Sequence, residues 1–468
     1  MTDAPVRSDG AMTAPPFRRF VIIWSGQFVS MTGSSLSGFA LGVYAYLLTG
    51  SVTTLGFIYA LGYLPMLLAL PFTGSLVDRW GPRRALVVSN IAATLVMLTL
   101  AALLATDRFQ LWHIYPVVAA LSVVGALFTP SFEAAMPLLV GKAQLGRANG
   151  MRMIALATSQ VLAPVIAGYV LLVIDISGII LLDCVSFGLA LLTLAAVRIP
   201  RPSGPAATPP HLSSLLREFA QAWRWVAARR GLLALMVLLG ALNFCAGFVD
   251  LLLTPLVLAF ASPRALGTIL SIGGVGMIAA SLGMSVWGGP RRRVPGLLAF
   301  SFTLGVATVI GALRPSVPLI TVGAVLFLGS LAIVMGSNQA IWQSKVEPAL
   351  LGRIMALLNM VANAPQLLAY ALAGLAADRV FAPLVGRDEV RSPVVGALVG
   401  HGPGRGIALL LMVMGVLIVG CVIAGFAHPR LRHLDRELPD ATGPDVTGEE
   451  PSMPVEPDTT TTVQVGAP

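Results

Sequence analysis

Three carboxylates, Glu133, Asp183 and Asp250, stand inside long apolar stretches of the sequence. An ionisable group in hydrocarbon is costly, so each is a candidate for carrying protons or meeting a charged ligand. Asp250 leads. Asn243, Ala246, Gly247 and Asp250 fall on one face of a helix, a polar stripe with small residues that leaves room for water or ligand. A carboxyl group there exchanges neutral and charged forms, and the two forms can favour different substrate states, as proton coupling requires. The competing reading is an Asp hydrogen-bonded to a neighbouring helix. Asp183 reads as structural first and as a proton-coupling candidate second. Glu133 follows Pro130 near the end of its segment; there it either reaches water or attracts a cationic substrate at a cavity mouth. Gln27, Gln160, Asn243 and Gln366 add amides, which donate and accept alike and suit a broad substrate cavity. The same groups also serve to glue helices together.

Other chemistries find no support. The five histidines (113, 211, 401, 428 and 433) are scattered, and Cys184, Cys245 and Cys421 each lie in an apolar run. That leaves no metal-ligand spacing, no disulfide framework and no clustered site for a membrane enzyme. No Gly-x-x-x-x-Gly-Lys-Ser/Thr stretch occurs, so direct drive by ATP is unsupported. Neither cofactor nor metal is expected.

The elements that must position these residues follow from composition. Of 468 residues, 56% are hydrophobic and only 11% charged, too few charges to cover a soluble surface. The formal charge of +9 is spread in short clusters between apolar runs, as in membrane loops, and nucleic acid is not an expected partner. Cutting at charged and Pro/Gly-rich breaks gives twelve segments able to span about 30 Å of hydrocarbon: 20–48, 54–76, 85–105, 111–133, 148–174, 178–197, 231–258, 265–287, 295–313, 316–340, 355–377 and 405–427. The first is too long for the apolar core of a cleaved signal peptide. The expected fold is an all-α polytopic membrane protein.

Placing the N-terminus inside puts 23 of the 30 Lys and Arg residues in inner segments, and the outer loops hold the other seven. Both termini are therefore expected in the cytoplasm, in a multi-pass chain of the cell inner membrane. Segment 1–19 is a short cytoplasmic lead. Segment 198–230 is a cytoplasmic linker in which Leu212, Leu215, Leu216, Phe219, Trp223 and Val226 recur at helical spacing opposite Arg217, Arg224, Arg229 and Arg230. It reads as an amphipathic helix with its apolar face in lipid. Segment 428–468 ends in Pro, Thr and acid and is expected to be a solvated, disordered tail.

The chain also repeats itself. Leu145-Gly146-Arg147 returns as Leu351-Gly352-Arg353, and Gln160 to Gly168 aligns with Gln366 to Gly374 with five of nine positions identical. Two pseudo-symmetric six-helix bundles, 20–197 and 231–427, follow, an arrangement associated with alternating access.

The loop after the second segment reads Gly74-Ser-Leu-Val-Asp78-Arg79-Trp-Gly81-Pro82-Arg83-Arg84. Gly74 and Gly81 permit close approach and a tight reversal, and Pro82 suits a first helical turn. This loop resembles the signature loop of the major facilitator superfamily, departing from it only at Pro82, where a basic residue is common. The resemblance runs from Phe20 to about Leu438, and Trp24-Ser-Gly-Gln27 and Leu182-Asp183-Cys-Val-Ser186-Phe187 are similar to the macrolide-efflux and siderophore-export branch. It implies that spans one, four, seven and ten surround a central cavity, and that Gly74, Asp78, Arg79, Gly81, Arg83 and Arg84 form a latch between the bundles. The equivalent loop of the second half, at Arg291 to Arg293, lacks the Asp. The family's antiporter signature in span five keeps only Pro164 and Gly168.

The expected function is secondary active transport: proton-driven export of an amphipathic small molecule such as an antibiotic or siderophore, by a monomer. Uptake of a small solute is the alternative within transport. A non-transporting receptor or scaffold is the alternative outside it.

Overall fold

The computed structural model describes residues 17–140, 144–171, 173–200, 212–385, 402–432 and 434. Among them no strand occurs. The first half comprises α1 (Phe17–Thr49), α2 (Val52–Trp80), α3 (Pro82–Ala105), α4 (Ile114–Leu139), α5 (Leu145–Val170) and α6 (Asp175–Ala196). A shorter helix, α7 (Leu212–Ala228), precedes α8 (Arg230–Leu258), α9 (Pro263–Trp287), α10 (Arg293–Leu313), α11 (Val317–Lys345) and α12 (Pro348–Ala376). A π turn, Ala377–Phe381, and α13 (Ala382–Val385) extend α12, and α14 (Arg405–Ala427) and α15 (Pro429–Arg432) follow. Most of the tail, most of segment 1–19 and part of the linker lie outside the described residues.

Local chemistry sets the breaks. Gly81, at φ +80°, ends α2, and Pro82 opens α3 without losing a helical donor. Ser51 and Ser262 cap α2 and α9 by accepting the N–H groups of Thr54 and Ala265. α4 runs through Pro130 and Pro137 to Leu139, so Glu133 sits within a helix rather than at its end.

Among the described residues eleven helices (α2–α6, α8–α12 and α14) are long and apolar enough to cross a membrane. α1 has 33 residues but carries Ser25, Gln27, Ser30, Thr32, Ser34, Ser35 and Ser37, and its hydropathy falls short. Large apolar side chains are exposed on the outward faces: Leu95, Leu192, Leu282, Val286 and Val416 show 60–90% of their surface. Contact with lipid accounts for such a belt; contact with water does not.

The packing repeats as the sequence does. In the first half α1 packs on α5 and α6, α3 on α4 and α6, and α2 on α4. In the second half α8 packs on α12 and α14, α10 on α11 and α14, and α9 on α11. Every pair has its counterpart. The amphipathic α7 departs from expectation. Ala222 and Val226 are buried, and Phe219 and Trp225 pack with them against the core of the second half, so part of the apolar face is covered by protein and not by lipid.

The halves meet through α2 against α12 and α5 against α9. A Cβ at Gly374 would lie 2.6 Å from Thr53 Cα, and one at Gly168 would lie 2.9 Å from the Pro263 carbonyl oxygen. One turn away, Gly56 faces the Tyr370 carbonyl and Gly267 faces the Pro164 carbonyl. Gly168 and Gly374 are 206 residues apart, as are Pro164 and Tyr370, while Gly56 and Gly267 are 211 apart. The same two backbone-on-backbone crossings are thus built twice, and the surviving residues of the span-five signature, Pro164 and Gly168, lie in one of them. Both crossings sit at the end of the molecule where α2 and α9 begin, and they close it.

Candidate functional site

Below this closure lies a cavity of about 570 Å³. α1 supplies Ser30, Ser34, Ser35 and Ser37; α2 supplies Tyr59 and Tyr63; α3 and α4 add Ser89, Asn90 and Ser122. α6 brings Asp183, α8 brings Asp250 and α12 brings Tyr370. No Lys, Arg or His lines it among the described residues. Of spans one, four, seven and ten, α1, α4 and α8 line this cavity. α11 contributes nothing to the lining, and α2, α3, α6 and α12 take its place, because the crossings bring α2 and α12 together over the cavity.

Asp250 is exposed to the cavity although it lies deep in the molecule. Its Oδ2 accepts the Tyr370 hydroxyl at 2.7 Å, and that hydroxyl oxygen accepts Gln366 Nε2 at 2.8 Å. The close approach of α8 to α12 that permits this is at Gly247, where a Cβ would come within 2.8 Å of Ala369 Cβ. The polar stripe read from the sequence therefore divides. Asn243 donates to the Ala362 carbonyl at 3.0 Å and ties α8 to α12, whereas Asp250, further along, reaches the open space.

Asp183 is 1% exposed. Ser186 and Ser34 donate to its Oδ1 at 3.0 and 3.4 Å, and Gly33 admits the cluster, since a Cβ there would lie 2.8 Å from that oxygen. It shares the cavity with Asp250 but sits beneath hydroxyls. Glu133 is elsewhere, exposed and paired with Arg152 at 2.8 Å between α4 and α5.

The amide candidates do not line the cavity. Gln27 is 2% exposed with neither amide atom hydrogen-bonded among the described residues, and Gln160 is exposed. Gln366 acts only through Tyr370. The signature loop faces solvent. Asp78, Arg79 and Arg84 are exposed, and Asp78 makes no hydrogen bond or ion pair among the described residues. Arg83 donates to the Leu194 carbonyl at the end of α6 at 3.2 Å. Nothing stands within 4 Å of where a Cβ would sit at Gly74 or Gly81, so neither serves a close approach here, and Gly81 is needed for its φ.

Two features escaped the sequence reading. Tyr59 and Tyr63 share one face of α2, but Tyr370 comes from α12, and no spacing in the sequence relates it to them. The serine run of α1 did carry a signal: Ser30-Met-Thr-Gly-Ser-Ser-Leu-Ser-Gly38 is too polar for a lipid-facing helix.

Comparison with known proteins agrees with this architecture. The chain is similar to Macrolide efflux protein A of Streptococcus pyogenes, 28% identical over 372 residues that cover 77% of this chain and 90% of the relative. It is also similar to the Multidrug efflux pump Tap of Mycolicibacterium fortuitum, 23% identical over 435 residues that cover 87% and 96%. Among solved structures the fold is similar to the nucleoside transporter NupG, with a TM-score of 0.66 at 11% identity over 88% of this chain and 99% of that one. A bacterial homolog of the human lysosomal transporter Spinster, solved inward-facing and unoccupied, gives 0.64 at 13% identity over 90% and 98%. The sequence profile of the Major Facilitator Superfamily matches residues 23–370, and the chain belongs to that superfamily of membrane transporters.

Proposed function

We propose that this transporter exports amphipathic small molecules across the cell membrane by alternating access, drawing on the proton gradient. The observation that carries the reading is the cavity beneath the symmetric crossings, acidic at two places and without a basic lining residue among the described residues. Apolar walls with a few convergent polar groups suit an amphipathic ligand. The relatives' names, which describe efflux of macrolides and of multiple drugs, support the outward direction.

In this reading α1 is the twelfth span, its polar face turned to the cavity. Residues 20–197 and 231–427 are the two moving bundles, with 198–230 as a cytoplasmic linker, both termini inside, and the monomer as the working unit. The closed end then faces outward, and the free Asp78 loop marks the cytoplasmic side in its released state. Asp250 is the coupling carboxylate, since it alone of the three acids is open to the cavity, and Asp183 is the reserve.

Flux into proteoliposomes under an imposed pH gradient, with macrolides as the first panel, tests this. Asp250→Asn is expected to abolish uphill accumulation and to leave downhill exchange measurable. Uphill pumping at the wild-type rate in that variant would move coupling to Asp183.

A further inference from the structure

The two carboxylates of the cavity have unlike surroundings. Asp183 is covered by serine hydroxyls, whereas Asp250 has one protein donor, Tyr370, on Oδ2, and its Oδ1 has none among the described residues. Around Asp250 the aromatic side chains gather. The Tyr59 ring meets Tyr370 edge-on at 5.4 Å and 70°, and Tyr63 does so at 6.3 Å and 81°. All three rings and the carboxylate line the same cavity.

This combination selects among ligands. An anionic group would be repelled by Asp250, with no basic side chain to hold it. A guanidinium prefers two parallel contacts to a carboxylate, and here Tyr370 already occupies Oδ2. A divalent metal ion needs several oxygen ligands at close range, while the Tyr370 hydroxyl is engaged between Gln366 and Asp250. An alkylated ammonium fits on every count. Its charge needs a single oxygen, and its N-alkyl groups rest on ring faces through cation–π attraction.

We propose that Asp250, Tyr59, Tyr63 and Tyr370 form a subsite for an alkylammonium group carried by the substrate. The remaining volume, walled by the serines of α1, takes the rest of the molecule. This assignment rests on reading the cavity as the substrate chamber.

Calorimetric titration of the purified full-length chain in detergent, where no gradient exists, tests it. Benzyltrimethylammonium is the charged probe and benzyl alcohol the uncharged control. Saturable binding of the ammonium is expected, at least tenfold weaker in Asp250→Asn and several-fold weaker in Tyr59→Leu and Tyr63→Leu. Glu133→Gln, outside the cavity, should bind as wild type, and Asp250→Glu should stay within a few-fold. Elution volume and helical circular dichroism report folding; if Asp250→Asn misfolds, the tyrosine variants decide.

Wild-type affinity for the ammonium in Asp250→Asn, absence of saturable binding, or equally tight binding of benzyl alcohol overturns the subsite. The two readings separate cleanly. A variant that binds the ammonium normally but no longer pumps uphill ends the subsite and keeps proton-driven export. One that loses the ammonium yet still pumps uphill ends the coupling role of Asp250 and keeps the subsite.

Discussion

Asp378, in the π turn that ends α12, accepts the backbone N–H of Thr53 at 2.8 Å and so holds the first turn of α2 from the opposite half of the molecule. The same carboxylate accepts the Val52 N–H at 3.2 Å and the Ser51 hydroxyl at 2.9 Å. Free N–H groups and the helix dipole make a helix start a natural seat for a carboxylate. The contact lies beside the Gly374 crossing and links the two halves at that end.

Asp378→Ala should therefore loosen the closed end. Loss of a charge-assisted helix cap is worth about 1–2 kcal/mol, or roughly a tenfold shift in population toward the state open at that end. In a background lacking Cys184, Cys245 and Cys421, a cysteine at position 58 should react faster with an impermeant maleimide applied from the Ser51 side. An unchanged rate would leave the contact without weight in gating.

The crossings predict paired steric effects. Gly168→Val and Gly374→Val each place methyl groups where the facing backbone now stands, so both should disfavour closure and slow transport, although they lie in different halves. Gly74→Ala meets nothing within 4 Å and should leave closure of that end unchanged. If the two valine variants differed widely, the two crossings would not act as equivalents.

Asp78→Asn should cost little stability, because Asp78 is exposed and makes no bond in the state described. It should nevertheless impair flux well beyond what its surface position suggests, since the latch is expected to form when the other end opens. Crosslinking of position 78 to 353–356 should appear only when the cavity opens on the Ser51 side. Wild-type flux would reduce the loop to a solvated turn.

The Glu133–Arg152 pair is half open to solvent, with side-chain exposures of 51% and 26%. Exposed pairs contribute about 0–1 kcal/mol, so Glu133→Gln should leave thermal stability and uphill flux near wild type. A large loss of flux would return Glu133 to the coupling candidates.

Membrane orientation is checked by labelling. Cysteines introduced at 82, 205 and 440 should react only from the cytoplasm, and those at 107 and 391 only from outside. Positions 205, 391 and 440 lie outside the described residues. Outside labelling at 205 would overturn the proposed orientation of the halves.

The helices, their approximate ends and the repeat were legible in the chain alone, because hydrophobic run length and Gly, Pro and Ser punctuation act locally. Segment 405–427 and helix Arg405–Ala427 coincide, and Gly81-Pro82 breaks the chain where its chemistry requires. The repeat was legible because an offset of 206 residues relates identical side chains, and the packing pairs follow it. Which polar residues meet was not legible. Asn243 and Asp250 share a helix face in the sequence, yet one ties helices and the other lines the cavity, a difference set by where α12 lies against α8. Tyr59 and Tyr63 of α2 meet Tyr370 only through the crossing of α2 and α12, and Asp378 reaches Thr53 over 325 residues for the same reason. Helix formation depends on neighbours in the chain. A cavity depends on which helix faces meet, and only tertiary packing fixes that.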